Sequence, residues 1–122
     1  MKRLVTLLSA GAVALMLSSG VWAAGDAVVT PAQIEAAKTS ADHEAIATAY
    51  DKEAANLEAM AKDHEVMAKS YGTAAAGTKG ANAAAMSAHC NKLVTQYKAA
   101  AKENRDLAAA HRQMAKDCCA KK

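Results

Sequence analysis

The 122-residue sequence has no phenylalanine, one proline, one tryptophan and three tyrosines. Sheet proteins draw on β-branched and aromatic residues, so this shortage excludes a β-sandwich or a barrel. Six glycines and one proline are too few for a low-complexity disordered chain, and the charge is nearly balanced. The length leaves no room for a multidomain enzyme. What the sequence has in abundance is alanine, 34 residues of 122, the best helix former. One small all-α unit remains.

The first 23 residues read as separate from that unit. Lys2 and Arg3 precede an uncharged apolar run, Leu4 to Leu17, which ends at Ser18, Ser19 and Gly20. Val21-Trp22-Ala23 then offers a cleavage site. This is the pattern of a secretory signal peptide. The run of 14 residues is shorter than the ~20 that span a bilayer. No cysteine lies near the cleavage site, which excludes a lipoprotein. The expectation is a bacterial chain exported to the periplasm or beyond. It is cut after Ala23, has no stable membrane insertion afterwards, and keeps residues 24–122 as a single domain. Losing Lys2 and Arg3 lowers the formal charge from +3 to +1, so the basic pI carries no nucleic-acid reading.

Thr30-Pro31 is an N-cap followed by proline at the first helical position, which predicts a short helix over about 31–38. Thr39 and Ser40 offer a second N-cap, with Asp42 and Glu44 in the first turn. No Gly or Pro interrupts the chain from there to Tyr71, and Gly72 is a stop. A long helix over about 41–71 follows. Residues 72–81 form a Gly-rich connector, and Asn82 caps a second long helix over about 83–118. Two long helices joined by ten residues pack most simply as an antiparallel hairpin.

Apolar and aromatic residues recur at alternating steps of three and four. In the first long helix the stripe reads His43, Ile46, Tyr50, Glu53, Leu57, Met60, His64, Met67 and Tyr71. In the second it reads Met86, His89, Leu93, Tyr97, Ala100, Asn104, Leu107, His111, Met114 and Cys118, with most steps again alternating three and four. This is a coiled-coil stripe. A 47-residue repeat relates the helices: Ile46 to Leu93, Tyr50 to Tyr97, His64 to His111, and HEVMAK (64–69) to HRQMAK (111–116). Residues 40–71 carry seven acids and three lysines, whereas 82–122 carry eight basic residues and three acids. Opposite charge favours their lying side by side. So thin a core for 99 residues predicts a homodimer, two hairpins forming a four-helix bundle.

All four histidines (43, 64, 89 and 111) and the four methionines of residues 24–122 (60, 67, 86 and 114) fall on these stripes. Methionine belongs on an apolar face; histidine does not by default. If the hairpin turns about residues 76–77, Met67 faces Met86 and His64 faces His89, with Cys90 one position away. Facing helices of a bundle hold metals in this manner. Imidazole with thioether suits Cu(I), and thioethers do not form disulfides in an oxidising compartment. At the other end His43 lies near His111, with Met114 and Cys118 beyond, which predicts a second, looser site. The functional expectation is an exported, non-enzymatic protein that binds or buffers a soft metal such as copper. Two alternatives stand beside it. One is a structural or protein-interaction module of the envelope, with no metal. The other is a bundle holding haem non-covalently through His and Met, since no C-x-x-C-H is present.

Three cysteines are an odd number for an exported chain. Cys90 and Cys118 lie 28 residues apart on one helix, ~42 Å, far beyond disulfide reach. Cys118 or Cys119 is therefore placed to link two chains. Catalysis is disfavoured: His89 and Cys90 are neighbours that do not face each other. The connector also lacks the strand–loop–helix context of a phosphate cradle.

Overall fold

A computed structural model describes residues 28–75 and 80–120. The expected signal peptide and the middle of the connector lie outside the described residues. Within them the chain forms three helices and no strand: α1 (Pro31–Ala36), α2 (Ser40–Ala75) and α3 (Gly80–Ala120). The two long helices pack against each other along their length as an antiparallel hairpin. No described helix is long and apolar enough to cross a membrane.

Local chemistry sets the boundaries. Thr30 caps α1 in a reciprocal capping box with Gln33. The helix stops at Ala36, two residues before the expected end, because the next N–H groups find another acceptor. Lys38 and Thr39 both donate to the Asp42 carboxylate, at 3.0 and 2.9 Å, and the Asp42 N–H donates to Thr39 Oγ1 at 3.1 Å. These bonds hold the Asp42 carboxyl below its usual range. Thr39 thus caps α2.

Gly72 does not stop α2. An interior glycine costs a helix only about 1 kcal/mol, and packing against α3 offsets that. Ser87 Oγ stands 3.6 Å from where a Gly72 Cβ would be, and it donates to the Ala68 carbonyl at 2.8 Å. On the other side α3 starts at Gly80, three residues before the expected start. Gly80 has φ +60°, which glycine adopts without a steric penalty.

The seam is built from two rows on each helix. One row is small: Ala47, Ala54, Ala61 and Ala68 on α2, and Val94, Ala101, Ala108 and Ala115 on α3, all buried. The other is larger: His43, Tyr50, Leu57, His64 and Tyr71, and across from them Cys90, Tyr97, Asn104, His111 and Cys118. Ring contacts fix the register. His111 lies 5.4 Å from His43 and 5.7 Å from Tyr50 between ring centres, so it is level with about residue 47. On that register His111 is opposite Ala47, Tyr50 opposite Ala108, Leu57 opposite Ala101 and Tyr97 opposite Ala61. These large side chains each meet an alanine, which lets the two helices approach closely.

This corrects the expected register and stripe. Met86 falls level with about Gly72 rather than Met67, and His89 with about Lys69 rather than His64. The expected register would stack the large rows against each other and the alanines against alanines. The expected stripe is also turned by one row. Ile46, Glu53, Met60 and Met67 on α2, with Met86, Leu93, Ala100, Leu107 and Met114 on α3, lie beside the seam on one broad face of the hairpin. Met60, Met67, Met86, Leu107 and Met114 are each 37–46% exposed. Ile46 alone of this row is fully buried, in a groove shared with Gln33, Ala36 and Ala37 at α1.

The opposite broad face carries the charge asymmetry. Arg112 pairs with Asp51, Arg105 with Glu58 and Lys98 with Glu65. Arg112 also lies 3.8 Å from Glu44. These pairs are exposed and add little to stability, but they favour this face-to-face arrangement of the helices over others. The 47-residue repeat runs through the ladder with inverted sign: Asp51, Glu58 and Glu65 correspond to Lys98, Arg105 and Arg112.

Candidate functional site

The row of larger seam residues holds the unusual chemistry. Ordered by height along the hairpin, it reads Cys118, His43, His111, Tyr50, Asn104, Leu57, Tyr97, His64, Cys90, Tyr71. Successive members alternate between helices. Histidines and cysteines gather at two places, each beside a tyrosine.

At the first place His43 and His111 meet. Their Nδ1 atoms are 3.1 Å apart, and His111 is only 6% exposed. One Nδ1–H donates to the other nitrogen's lone pair, so at least one ring is neutral. Burial, and then the charge of a protonated His43, push the His111 pKa below its usual 6.5. Neutral imidazole is the ligating form. Two nitrogens 3.1 Å apart also suit one cation: with bonds of ~2.0 Å they subtend about 100° at the metal, near the tetrahedral angle. Tyr50 covers His111 from the other side at 5.7 Å.

The remaining residues expected at this end are less convergent. Cys118 is next in the row beyond His43, but it is exposed and its Sγ donates to the Ala115 carbonyl at 3.3 Å. Met114 lies on the open face, 46% exposed. The Cys119 side chain lies outside those described. Among the described residues no group of three or more His, Cys, Asp or Glu is close enough to hold an ion. The His43–His111 pair is therefore a two-point site with an open side.

At the second place His64 stacks on Tyr97, ring centres 5.4 Å apart. Its Nδ1 is buried and has no hydrogen-bond partner. Cys90 follows it in the row and is 3% exposed. The other three residues expected around His64 do not gather there. His89 is exposed, since Cys90 takes the seam position and His89 is rotated about 100° away from it. Met67 and Met86 sit on the open face, about one turn apart in height.

The two tyrosines were not among the expected site residues, yet each packs on a histidine. The repeat contained the signal: it aligns Tyr50 with Tyr97 and His64 with His111, and the structure joins Tyr50 to His111 and Tyr97 to His64. His43 corresponds in the same repeat to Cys90. The two places are thus equivalent by an approximate two-fold, with one histidine exchanged for a cysteine. No family model matches the chain, and no curated protein or solved structure matches it.

Proposed function

We propose that this is an exported, periplasmic, non-enzymatic helical hairpin that binds or buffers a soft metal, copper as Cu(I), through His43 and His111. One observation carries the reading: two imidazole nitrogens 3.1 Å apart in a buried seam, one of them on a ring held toward its neutral form. Imidazole is a ligand for copper and its neighbours, and poor for Ca²⁺ or Mg²⁺. The cation takes the place of the shared Nδ1 proton, which that ring carries on Nε2 instead, so both rings ligate as neutral imidazoles. The hairpin pairs with a second copy into a four-helix bundle, with Cys118 or Cys119 available to link the two chains.

The test is competition for Cu(I) between the reduced protein and a chromophoric chelator. His111→Ala and His43→Ala should each weaken binding, and His89→Ala should leave it unchanged. Equal competition by all four proteins would refute the site. The second reading, an envelope interaction module, is favoured by the exposed methionine face. It predicts no Cu(I) uptake by any of the four.

A further inference from the structure

The hairpin has two unlike broad faces. One is closed by the ladder of Asp51, Glu58 and Glu65 with Arg112, Arg105 and Lys98. The other presents Met60 and Met67 from α2 and Met86 and Leu93 from α3, with no described helix over them. A two-helix coiled coil needs only two apolar rows per helix, at the seam. A helix carrying a third apolar row beside the seam is patterned for the core of a bundle. Both long helices carry that third row, and both carry it on the same face.

We propose that a second copy of this chain docks on the Met60–Met67–Met86–Leu93 face, which becomes the core of the four-helix bundle. The inference rests on the bundle reading above and assigns its contact surface; it is independent of the metal reading. Three observations support it. An open, mainly apolar groove of about 460 Å³ lies on this face, lined by Tyr71, Ala74, Ala83 and Met86, with Ser70 and Asn82 at its polar edge. The face extends from Glu53 to Ala74, ~32 Å, and is ~20 Å wide across two helices. That is roughly 650 Å² per copy, above the ~500 Å² per partner that a specific interface needs. Third, α1 already covers the row at Ile46, the one member that is fully buried, so the free part is the end nearer the connector. Charge gives no competing partner here: the excess charge of both helices is spent in the ladder on the far face. Glu53 is the one acid in the row and lies half-buried at the edge of the free part.

The experiment is sedimentation of the reduced chain, purified from the cells that make it, across a range of concentrations. The mass should be that of two copies. Met60→Glu with Met67→Glu should reduce it to one copy, and Val66→Glu, on the outer surface, should not. Helicity by circular dichroism confirms that the variants remain folded. With methyl-labelled methionine, the Met60, Met67 and Met86 signals should shift on dilution of the unchanged protein. A dimer that survives the double substitution with unshifted methyl signals overturns this face and leaves the bundle reading standing. A single-copy mass at every concentration overturns both. If Met60 and Met67 then also resist peroxide, the face is covered from within one chain and the proposal is again overturned.

Discussion

The two ends of the seam are built from one repeat and differ in a single exchange. At one end His43, His111 and Tyr50 pack together; at the other Cys90, His64 and Tyr97 take the equivalent positions. Where the partner is histidine, the two Nδ1 atoms satisfy each other at 3.1 Å. Where it is cysteine, the His64 Nδ1 is buried and unsatisfied. A thiol is a weak donor and acceptor, so the exchange leaves a polar atom in the seam without the bond that normally offsets its burial. The same backbone geometry thus gives a hydrogen-bonded imidazole pair at one end and an unpartnered buried nitrogen at the other. The difference shows that the alanine seam fixes where the side chains stand, and their identity alone decides what they can bind.

Making the ends alike should have the largest effect. Cys90→His installs the missing imidazole beside His64. The expected outcome is a second Cu(I) site, doubling the equivalents withheld from a competing chelator. Conversely, His111→Ala should weaken the native site about a hundredfold, ~2.7 kcal/mol, while His64→Ala changes Cu(I) affinity less than threefold. Equal losses from the two substitutions would remove the distinction between the ends.

The tyrosines test whether the ends share their packing. Tyr97→Ala and Tyr50→Ala each remove a ring that packs on a histidine, stacked at His64 and tilted at His111. Each should cost about 2 kcal/mol in chemical denaturation, below the full range for a buried aromatic because both rings are half-buried. A difference larger than about 1 kcal/mol between them would break the equivalence that the repeat implies.

Much of this was legible in the sequence, for identifiable reasons. Helix type and order follow from alanine content, caps and the absence of proline, and the structure has them. The pairing of His43 with His111 at one end was expected. The seam was harder to read because hydrophobicity was the guide: Met60, Met67 and Leu107 outrank Ala54, Ala61 and Ala108 on any scale. In the hairpin the alanines are buried, because small residues allow two helices to approach closely around the rings. The register followed from the same fact. Choosing it requires knowing that Tyr97 fits opposite Ala61, and spacing alone does not show that. Gly72 misled for a local reason, since its cost in the helix is small and Ser87 packs against it.

Removing the unsatisfied atom should be mildly stabilising. His64→Phe keeps a ring against Tyr97 and eliminates the buried Nδ1. The expected gain is about 1 kcal/mol, read as a higher denaturant midpoint at unchanged slope. The same substitution at His111 should destabilise, because it leaves the His43 Nδ1 without its partner. Gains at both ends, or losses at both, would contradict the contrast drawn from the hydrogen bonds.

The smallest effect is one of pH, and its sign follows from His111. Burial, and then the charge of His43, lower its pKa in the folded chain below the usual 6.5. The unfolded chain therefore binds more protons wherever the pH lies between the two values. Stability from this group is complete above about 6.5 and is lost as the pH falls below it. The carboxylates shifted downward by their partners, Asp42, Glu58 and Glu65, have ordinary values of 3.8 to 4.5, so they act at lower pH. Between pH 8 and 5 the melting temperature should therefore fall through His111. His43→Gln removes the charge but not the burial, so the loss should become shallower without vanishing. If the slope is unchanged by His43→Gln, the two imidazoles are not electrostatically coupled, and the paired end differs from the Cys90 end only in shape.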